Sequence, residues 1–334
     1  MLTPKQNFYE TLKKDGHPDR LVNQYNSMVF FMQDPLGQFT RGNRIKGKTT
    51  LDRWGVRIMW PEDQIAAIPD TSDEVKVCKD VCEWERYVKV PDLAAACDDD
   101  RLWKETLEQA DRIDRDQFLV TGFMPDGVFE QMHNLMGFED TLMNFLLEPE
   151  ATLALAQAIG EYKFQYARIL VDHLKPDVII SLDDWGSNNS MFMSPDIWRE
   201  FIMPQYVPVY EYLHEHHVTV IHHSDSYLEP IVEDMVELGI DVWQGILPTN
   251  PINQIITQLD GRMTVMGGID SIVDRVDATE EEIRAEALRA CREYSGRGFF
   301  IPSITYGSPK TAYPHVYDII TDAIDGYNRE VFGD

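Results

Sequence analysis

The chain has 334 residues, and 43% of them are apolar, which is enough to form a large buried core. Its 30 basic and 57 acidic residues give a net charge of −27, and such a surface repels nucleic acids and anionic membranes. Four cysteines are too few for a disulfide framework, and no apolar run is long enough to span a bilayer. The first 20 residues lack the apolar core of a signal peptide, so we expect a cytoplasmic protein that binds neither nucleic acid nor membrane.

The sequence of residues 1–116 predicts an N-terminal elaboration of the fold that contains helices and a hairpin. Residues 4–15 indicate a helix, Arg20–Tyr25 a first strand and Asp52–Pro61 a hairpin. Residues 37–50 are the only locally positive stretch, with Arg41, Arg44, Lys46 and Lys48. This stretch is either a loop that reaches over an anionic ligand or a solvated excursion.

From Gln117 onward, apolar runs typical of buried strands alternate with segments of helical periodicity. The runs are QFLVTGF, DVIISL, VTVI, IDVWQGI, MTVMGGID and GFFIPSITYG, and Ser194-Pro195-Asp196 is a strong helix start. No glycine-rich phosphate loop follows any of these strands, which disfavours a nucleotide-binding doubly wound sheet. Seven predicted strands, with room for an eighth before residue 116, predict an α/β protein with a (β/α)8 TIM-type barrel in a single domain, 1–334.

Polar side chains follow two of the predicted strands directly. Asp183 and Asp184 follow DVIISL, and the sequence His222-His223-Ser224-Asp225 ends the next strand. Because side chains alternate along a strand, His223 and Asp225 share one face, and one of the two aspartates points inward. We choose Asp184, because an inward carboxylate at the carboxyl end of a barrel strand is rarely core filler. The alternative for His223 and Asp225 is a hydrogen-bonded pair that closes the barrel. The alternative for the aspartates is a salt bridge or a cap for the Ser187–Met193 loop.

Other residues at strand ends are candidates for binding a substrate. Trp185 and Met124 would give an apolar pocket, although core packing is the default for each residue singly. Tyr306, at the end of the last strand, is a further catalytic candidate. The remaining polar candidates are Tyr25, Asn26, Asp126, Gln244 and Asp270.

The chain resembles the uroporphyrinogen decarboxylase superfamily from about Asp52 to its C-terminus. The matching pieces occur in the family's order, and the ordered set is specific although each piece alone is weak. They are DRWGV, GFMPDGVFEQMHNLMGFEDTLMNFLLEPE, SLDDWGSNNSMFMSP, IHHSDS, ELGIDVWQGILP, MGGID and GFFIPSITYGSP. The resemblance implies an eight-stranded barrel with one deep cleft at the carboxyl-end mouth.

The superfamily contains metal-free decarboxylases and corrinoid-dependent methyltransferases, several of which use zinc. His223-Ser224-Asp225 stands where zinc-dependent relatives carry a His-x-Cys pair, and their other cysteine would fall near Tyr306. Both cysteines are absent, so a thiolate zinc site is disfavoured and a harder His/carboxylate site stays open. The candidate metal ligands are His223, Asp225 and Glu200, with Asp184 as a further acid, and zinc is the candidate ion.

The branch must be chosen from the residues of the site. The family's decarboxylases carry arginines just after the first strand to bind a polycarboxylate substrate, and here that place reads NQYNSMVFFMQ. We therefore expect a corrinoid-dependent methyltransferase that moves a methyl group from a small, methoxylated aromatic compound to a cobalamin-binding protein, a transient partner. The alternatives are a porphyrinogen-type decarboxylase and a non-catalytic ligand-binding barrel. A homodimer is an assembly that we leave open.

Overall fold

The computed structural model describes residues 1–42, 44–64, 66–306 and 312–333. The described strands are β1 (Met28–Phe31), β2 (Thr49–Leu51), β3 (Arg57–Met59), β4 (Ile68–Asp70), β5 (Leu119–Met124), β6 (Val178–Leu182), β7 (Thr219–His223), β8 (Val242–Ile246), β9 (Thr264–Ile269) and β10 (Phe300–Ile304). The described helices are α1 (Pro4–Leu12), α2 (Pro35–Arg41), α3 (Trp84–Tyr87), α4 (Leu93–Cys97), α5 (Asp100–Ala110), α6 (Val128–Met136), α7 (Phe138–Leu147), α8 (Pro149–Leu174), α9 (Pro195–Ile197), α10 (Met203–Glu215), α11 (Val232–Glu237), α12 (Ile252–Leu259), α13 (Glu280–Tyr294) and α14 (Pro314–Phe332). A π-helical turn (Trp198–Ile202) joins α9 to α10, and short 3-10 turns cover Val81–Glu83, Glu229–Ile231, Ser271–Val273 and Ser295–Arg297.

Seven parallel strands form the main sheet, in the order β1-β5-β6-β7-β8-β9-β10. Every connection between neighbours contains at least one helix or helical turn, as parallel pairing requires. The sheet curls into a TIM-type barrel, which confirms the predicted fold class. It also brings the carboxyl ends of all its strands together at one mouth.

The first strand is not where the sequence predicted it. Arg20–Tyr25 was the expected strand, but the strand that pairs with β5 is Met28–Phe31. Gln24 instead has a left-handed backbone (φ 47°) at the start of a turn. Its amide donates to the Pro302 carbonyl of β10 at 3.2 Å, so this irregular segment lies alongside the last strand of the sheet.

The barrel interior is filled by alternate residues of the strands. Phe123, Ile180, Ile221, Met266 and Ile301 belong to one buried cluster inside the sheet. Their neighbours along the chain face outward and join the larger cluster between sheet and helices. This period-two division is what assigns each polar residue at a strand end to the mouth or to the outer layer.

The amino-terminal end of the barrel is covered by α1. Phe8 is fully buried in the interior cluster, and Lys5 forms an ion pair with Asp177 just before β6. Helix α1 is held by Thr3, whose hydroxyl accepts from the Gln6 amide in a capping box. The opposite, carboxyl end is the end that α1 leaves uncovered.

A small antiparallel sheet, β2-β3-β4, stands beside the barrel. The hairpin predicted over Asp52–Pro61 exists, but its strands begin earlier and the DRWGV motif forms the turn. Asp52 accepts hydrogen bonds from the amides of Trp54 (2.9 Å) and Val56 (2.8 Å). Trp54 is buried with its ring centroid 4.8 Å from that of Tyr162 on α8, which fixes the hairpin to the barrel. None of the described helices combines the length and the apolar character that crossing a bilayer requires.

Candidate active site

Strands β6 and β7 bring three titratable side chains together at the mouth. Asp184, His223 and Asp225 each offer a ligand atom, and these atoms all lie within 4.8 Å of one another. Asp184 Oδ1 is 3.9 Å from His223 Nε2 and accepts a 3.0 Å hydrogen bond from the Asp225 amide. We call these three residues the triad. Two oxygen donors and one imidazole nitrogen in this arrangement can bind a hard or borderline cation, or share protons.

The next strand orients the histidine. Gln244 of β8 pairs in register with His223, so both side chains lie on the same face of adjacent strands. His223 Nδ1 lies 2.5 Å from Gln244 Oε1, while Gln244 Nε2 donates to the Thr305 and Tyr306 carbonyls, both at 3.1 Å. The amide is thus fixed with its oxygen toward the imidazole, which places the proton on Nδ1 and leaves the Nε2 lone pair facing Asp184.

The close approach of β7 and β8 depends on a glycine. Gly245 has φ +103°, and a Cβ there would lie 2.7 Å from the Ser224 carbonyl oxygen and 2.9 Å from the Asp225 amide. Because no side chain fits, the backbone that carries Asp225 can lie directly against β8.

Asp225 is the member of the triad with a strongly displaced protonation equilibrium. Burial, followed by the negative charge of Asp184, raises the pKa of Asp225 to about 7. A proton on Asp225 is therefore easily gained or lost near neutral pH, which suits either proton transfer or displacement of that proton by a cation.

The other residue of each adjacent pair points outward, as alternation predicts. Asp183 accepts from the amides of Phe129 (3.0 Å) and Glu130 (2.9 Å) and so caps α6. It also accepts from Trp185 Nε1 and the Tyr206 hydroxyl, both at 2.8 Å. Burial raises the pKa of Asp183 to about 6.

Trp185 and His222 lie behind the triad rather than in the mouth. Both are fully buried, and their rings stack with centroids 4.0 Å apart. His222 Nδ1 is 2.7 Å from the Tyr210 hydroxyl, and Nε2 is 3.2 Å from the Asp183 carbonyl. Burial lowers the pKa of His222 to about 3, so it is neutral and supports the two strand ends. The sequence proposed Trp185 as a pocket residue, but its place in the outer layer makes it a support.

Tyr306 and Tyr25 lie on the side of the mouth next to the last strand. The buried Tyr25 hydroxyl donates to the Tyr306 carbonyl, and Gln244 donates to the same oxygen. Burial raises the pKa of Tyr306, with Asp274, Asp225 and Asp270 contributing through their charges. The Tyr306 phenol is therefore close enough to Asp225 and Asp270 to feel their charges, and Asp270 caps the 3-10 turn at Ser271–Val273.

The loop after β5 contributes Asp126 and Glu130. Asp126 has a left-handed backbone (φ 50°), and the buried Lys163 of α8 donates to its carbonyl (3.1 Å) and to that of Pro125 (2.6 Å). Glu130 accepts from the Gly127 amide at 3.0 Å. Burial raises the pKa of Glu130 well above its ordinary value, and the charge of Asp184 is the next cause.

The sequence interpretation missed Glu130. The sequence offers one local signal, a glutamate three residues after the helix cap Gly127, whose amide donates to it. That signal indicates a helix start and says nothing about the residues at the end of β6. Only the packing of α6 against β6 shows that this carboxyl group lies near Asp184.

Three proposed site residues lie away from the triad. Met124 is fully buried in the outer layer, because it follows the inward-facing Phe123. Asn26 is exposed in the turn before β1. Glu200 is exposed on the π-helical turn, where Trp198, Phe201 and Ile202 take the buried positions. Glu200, proposed as a metal ligand, is therefore not one of the residues that meet at the mouth.

The family model for uroporphyrinogen decarboxylase (URO-D) matches residues 51–327. The chain belongs to the uroporphyrinogen decarboxylase family. The match includes β5 to β10 and all three residues of the triad. It begins just before the DRWGV turn, so the resemblance seen in the sequence is confirmed.

Comparison with solved structures supports the same fold for this family member. A methyltransferase from Methanosarcina mazei aligns with a TM-score of 0.65 and 16% sequence identity, covering 98% of this chain and 99% of that chain. At this identity the likeness establishes the fold. None of the curated proteins compared with the chain gave a significant match.

Proposed function

We propose that the protein is a methyltransferase that moves a methyl group from a small methoxylated aromatic compound to the corrinoid of a cobalamin-binding partner protein. The observation that carries this proposal is the triad at the mouth, a compact group that can stabilise a leaving oxygen. Family membership and the full-length similarity to a protein described as a methyltransferase support it.

The donor set of the triad fits a divalent cation such as zinc. Two carboxylate oxygens and the Nε2 lone pair of His223 converge, and Gln244 fixes the imidazole from behind in the way that residues outside the coordination sphere orient metal ligands. A bound cation would act as a Lewis acid toward the oxygen from which the methyl group departs. The missing cysteines make this a harder site than a thiolate zinc centre.

The residues of the triad also provide proton chemistry of their own. When the methyl–oxygen bond breaks, the oxygen keeps the bonding electrons and becomes a phenolate that a proton donor can neutralise. Asp225, with a pKa raised to about 7, can hold that proton near neutral pH, and Asp184 and His223 lie within reach of it. The triad therefore stabilises the departing oxygen whether it binds a cation or supplies a proton.

A decarboxylase is the alternative that the family's own description favours. The balance of charge counts against it. Of the basic residues in 41–48, Arg41 and Arg44 are partly buried, whereas Lys46 and Lys48 are exposed. Because β1 is Met28–Phe31, the stretch NQYNSMVFFMQ contains the first strand, and Arg41 and Arg44 are the arginines that follow it, which corrects the expectation that none does. Two guanidinium groups are still too few to neutralise a polycarboxylate porphyrinogen. A non-catalytic barrel is disfavoured as well, because the mouth holds three titratable groups within reach of one ligand atom.

The test is a methyl-transfer assay with a panel of methoxylated aromatics and a reduced corrinoid protein. The reaction is monitored through the absorbance of the corrinoid. Metal analysis of the purified protein accompanies it, and uroporphyrinogen is the control substrate. We expect demethylation of at least one methoxylated compound and no porphyrinogen turnover. Porphyrinogen turnover without any methyl transfer would overturn the proposal. Loss of activity with a chelator and recovery with zinc would establish the metal version, whereas indifference to the chelator would establish the proton version.

A further inference from the structure

Two fully buried serines, Ser224 and Ser226, lie just after β7. Ser224 Oγ accepts a hydrogen bond from the Trp185 amide at 3.2 Å and donates one to Ser226 Oγ at 3.0 Å. Ser226 Oγ in turn donates to the Gly186 carbonyl at 2.9 Å. Each hydroxyl therefore uses its single proton, and the chain of hydrogen bonds begins and ends on two consecutive residues of the loop after β6. We call the two hydroxyls the serine bridge.

The serine bridge connects the two segments that carry the acids of the triad. Trp185 directly follows Asp184, and the two serines stand on either side of Asp225. The Asp225 amide also donates to Asp184 Oδ1 at 3.0 Å, so the same two segments are joined a second time. Because hydrogen bonds in a buried chain polarise one another, the bridge holds the two segments together as one unit.

Asn250, in the loop after β8, fixes the serine bridge from a third strand. Its side chain is buried, and Nδ2 donates to the Ser226 carbonyl at 2.9 Å and to the Leu247 carbonyl at 3.2 Å. Its Oδ1 accepts from the Leu228 amide at 3.0 Å. The Asn250 amide therefore joins the loop after β7 to the loop after β8 on both sides of its plane.

The acids of the triad need such a support. Asp184 and Asp225 offer ligand atoms within 4.8 Å of each other, and two ionised carboxylates at that separation repel each other. The loop after β6 is also packed too closely to yield, since a Cβ at Gly186 would lie 2.9 Å from the Ser190 carbonyl oxygen and 3.1 Å from that of Tyr227. Ligands held in place by supporting hydrogen bonds before a cation arrives bind it more tightly.

We propose that Ser224, Ser226 and Asn250 are positioning residues, which hold the carboxylates of Asp184 and Asp225 at the separation at which the triad binds a divalent cation. They act through the backbone, because their hydrogen bonds go to peptide groups next to the two aspartates and to each other. This inference rests on the metal version of the proposed function, and it does not require that the protein transfers a methyl group.

The experiment measures the affinity of the full-length protein for Zn²⁺ by competition with a chelator, without corrinoid protein or methyl donor. Ser224→Ala and Ser226→Ala each remove one oxygen and leave every triad ligand in place. Each should weaken zinc binding by ~10–100-fold, the usual effect of losing a residue that supports metal ligands. The double variant should lose about as much as either single variant, because both substitutions break the same chain. The visible spectrum of bound Co²⁺, which reports ligand geometry, should change in all three variants.

Thr152→Val is the matched control. Thr152 is fully buried, and its hydroxyl donates to the carbonyls of Asn144 (3.0 Å) and Glu148 (2.7 Å) where α7 meets α8. The substitution also removes one buried hydroxyl and should lower the Tm. It should leave zinc affinity and the Co²⁺ spectrum as in wild type, so a general loss of stability is separated from a loss of positioning.

Unchanged zinc affinity in the serine variants, additive losses in the double variant, or an equal loss in Thr152→Val would overturn the proposal. Asn250→Ala, which should also weaken zinc binding, keeps it testable if a serine variant does not fold. A wild-type protein that binds no Zn²⁺ would overturn this inference and leave the proton version of the proposed function standing. Zinc binding that depends on the serine bridge, in a protein that transfers no methyl group, would refute the proposed function alone.

Discussion

Replacing Gln244 by methionine should weaken metal binding at the triad without removing any ligand. Gln244 is fully buried and uses its amide for three contacts, to His223 Nδ1 and to the carbonyls of Thr305 and Tyr306. Methionine has a similar volume and makes none of these contacts. The imidazole then loses the partner that fixes its tautomer and its ring orientation, and such a loss typically costs 10–100-fold in metal affinity, or about 1.4–2.7 kcal/mol.

The same substitution should also lower the stability of the metal-free protein. The Tyr306 carbonyl keeps its hydrogen bond from the Tyr25 hydroxyl, whereas the Thr305 carbonyl loses the donor that Gln244 provides. One buried acceptor without a partner costs about 1–3 kcal/mol, which corresponds to a fall of a few degrees in Tm. Competition with a zinc chelator measures the first effect, and thermal unfolding in chelator measures the second.

Gln205→Met is the matched control, because Gln205 is also buried and its side-chain amide donates, among the described residues, only to the Phe201 carbonyl in the π-helical turn before α10. It should lower the Tm and leave zinc affinity unchanged. If Gln244→Met lowers the Tm but zinc affinity stays within about twofold of wild type, Gln244 contributes only packing. A wild-type protein that fails to bind zinc at micromolar concentrations would refute the metal version of the site.

Two further predictions concern stability. Burial raises the pKa of Asp34 from 3.8 to about 6, so its contribution to stability is fully present below about pH 4 and is lost as the pH rises through 6. Asp34→Asn should therefore raise the free energy of unfolding by up to ~3 kcal/mol near pH 7.5 and by little near pH 4, and an equal gain at both pH values in denaturant titrations would contradict this. A Cβ at Gly127 would lie 2.2 Å from Asp183 Cγ and 2.4 Å from the Leu182 carbonyl oxygen, so Gly127→Ala should destabilise the protein by at least ~2 kcal/mol. Gly296→Ala, where nothing lies within 4 Å, should change the Tm little, and equal Tm values for the two alanine variants would contradict the steric argument.

The sequence was most informative where a strand is buried on both faces. The apolar runs of β5 to β10 are typical of parallel strands buried on both faces. Period-two alternation assigned Asp184 and His223 to the inner face, and Asp183 and His222 to the outer face. The placement of the first strand at Arg20–Tyr25 was wrong. Its apolar residues Val22 and Tyr25 are buried inside the barrel, but Gln24 takes a left-handed backbone that no propensity indicates.

Contacts between distant segments could not be predicted from the sequence. The Arg44–Asp126 pair depends on how two loops after adjacent strands meet, and Glu130 comes near Asp184 only because α6 packs at the end of β6. Alternation would have placed Met124 in the outer layer, had Phe123 been assigned inward first. The exposed position of Glu200 follows from the helix face that buries Trp198 and Phe201.

The central claim is that the triad stabilises the oxygen that loses its methyl group. The direct measurement is the single-turnover rate of methyl transfer from the best methoxylated donor to a reduced corrinoid protein, compared between wild type and His223→Ala. The affinity of both proteins for the donor is measured by calorimetry. His223→Ala should slow transfer by ~10²–10⁴-fold and change donor binding much less, because the interaction matters chiefly in the transition state. His216→Ala, at an exposed position, should leave both unchanged. Nearly full transfer activity in the His223→Ala protein would contradict the account.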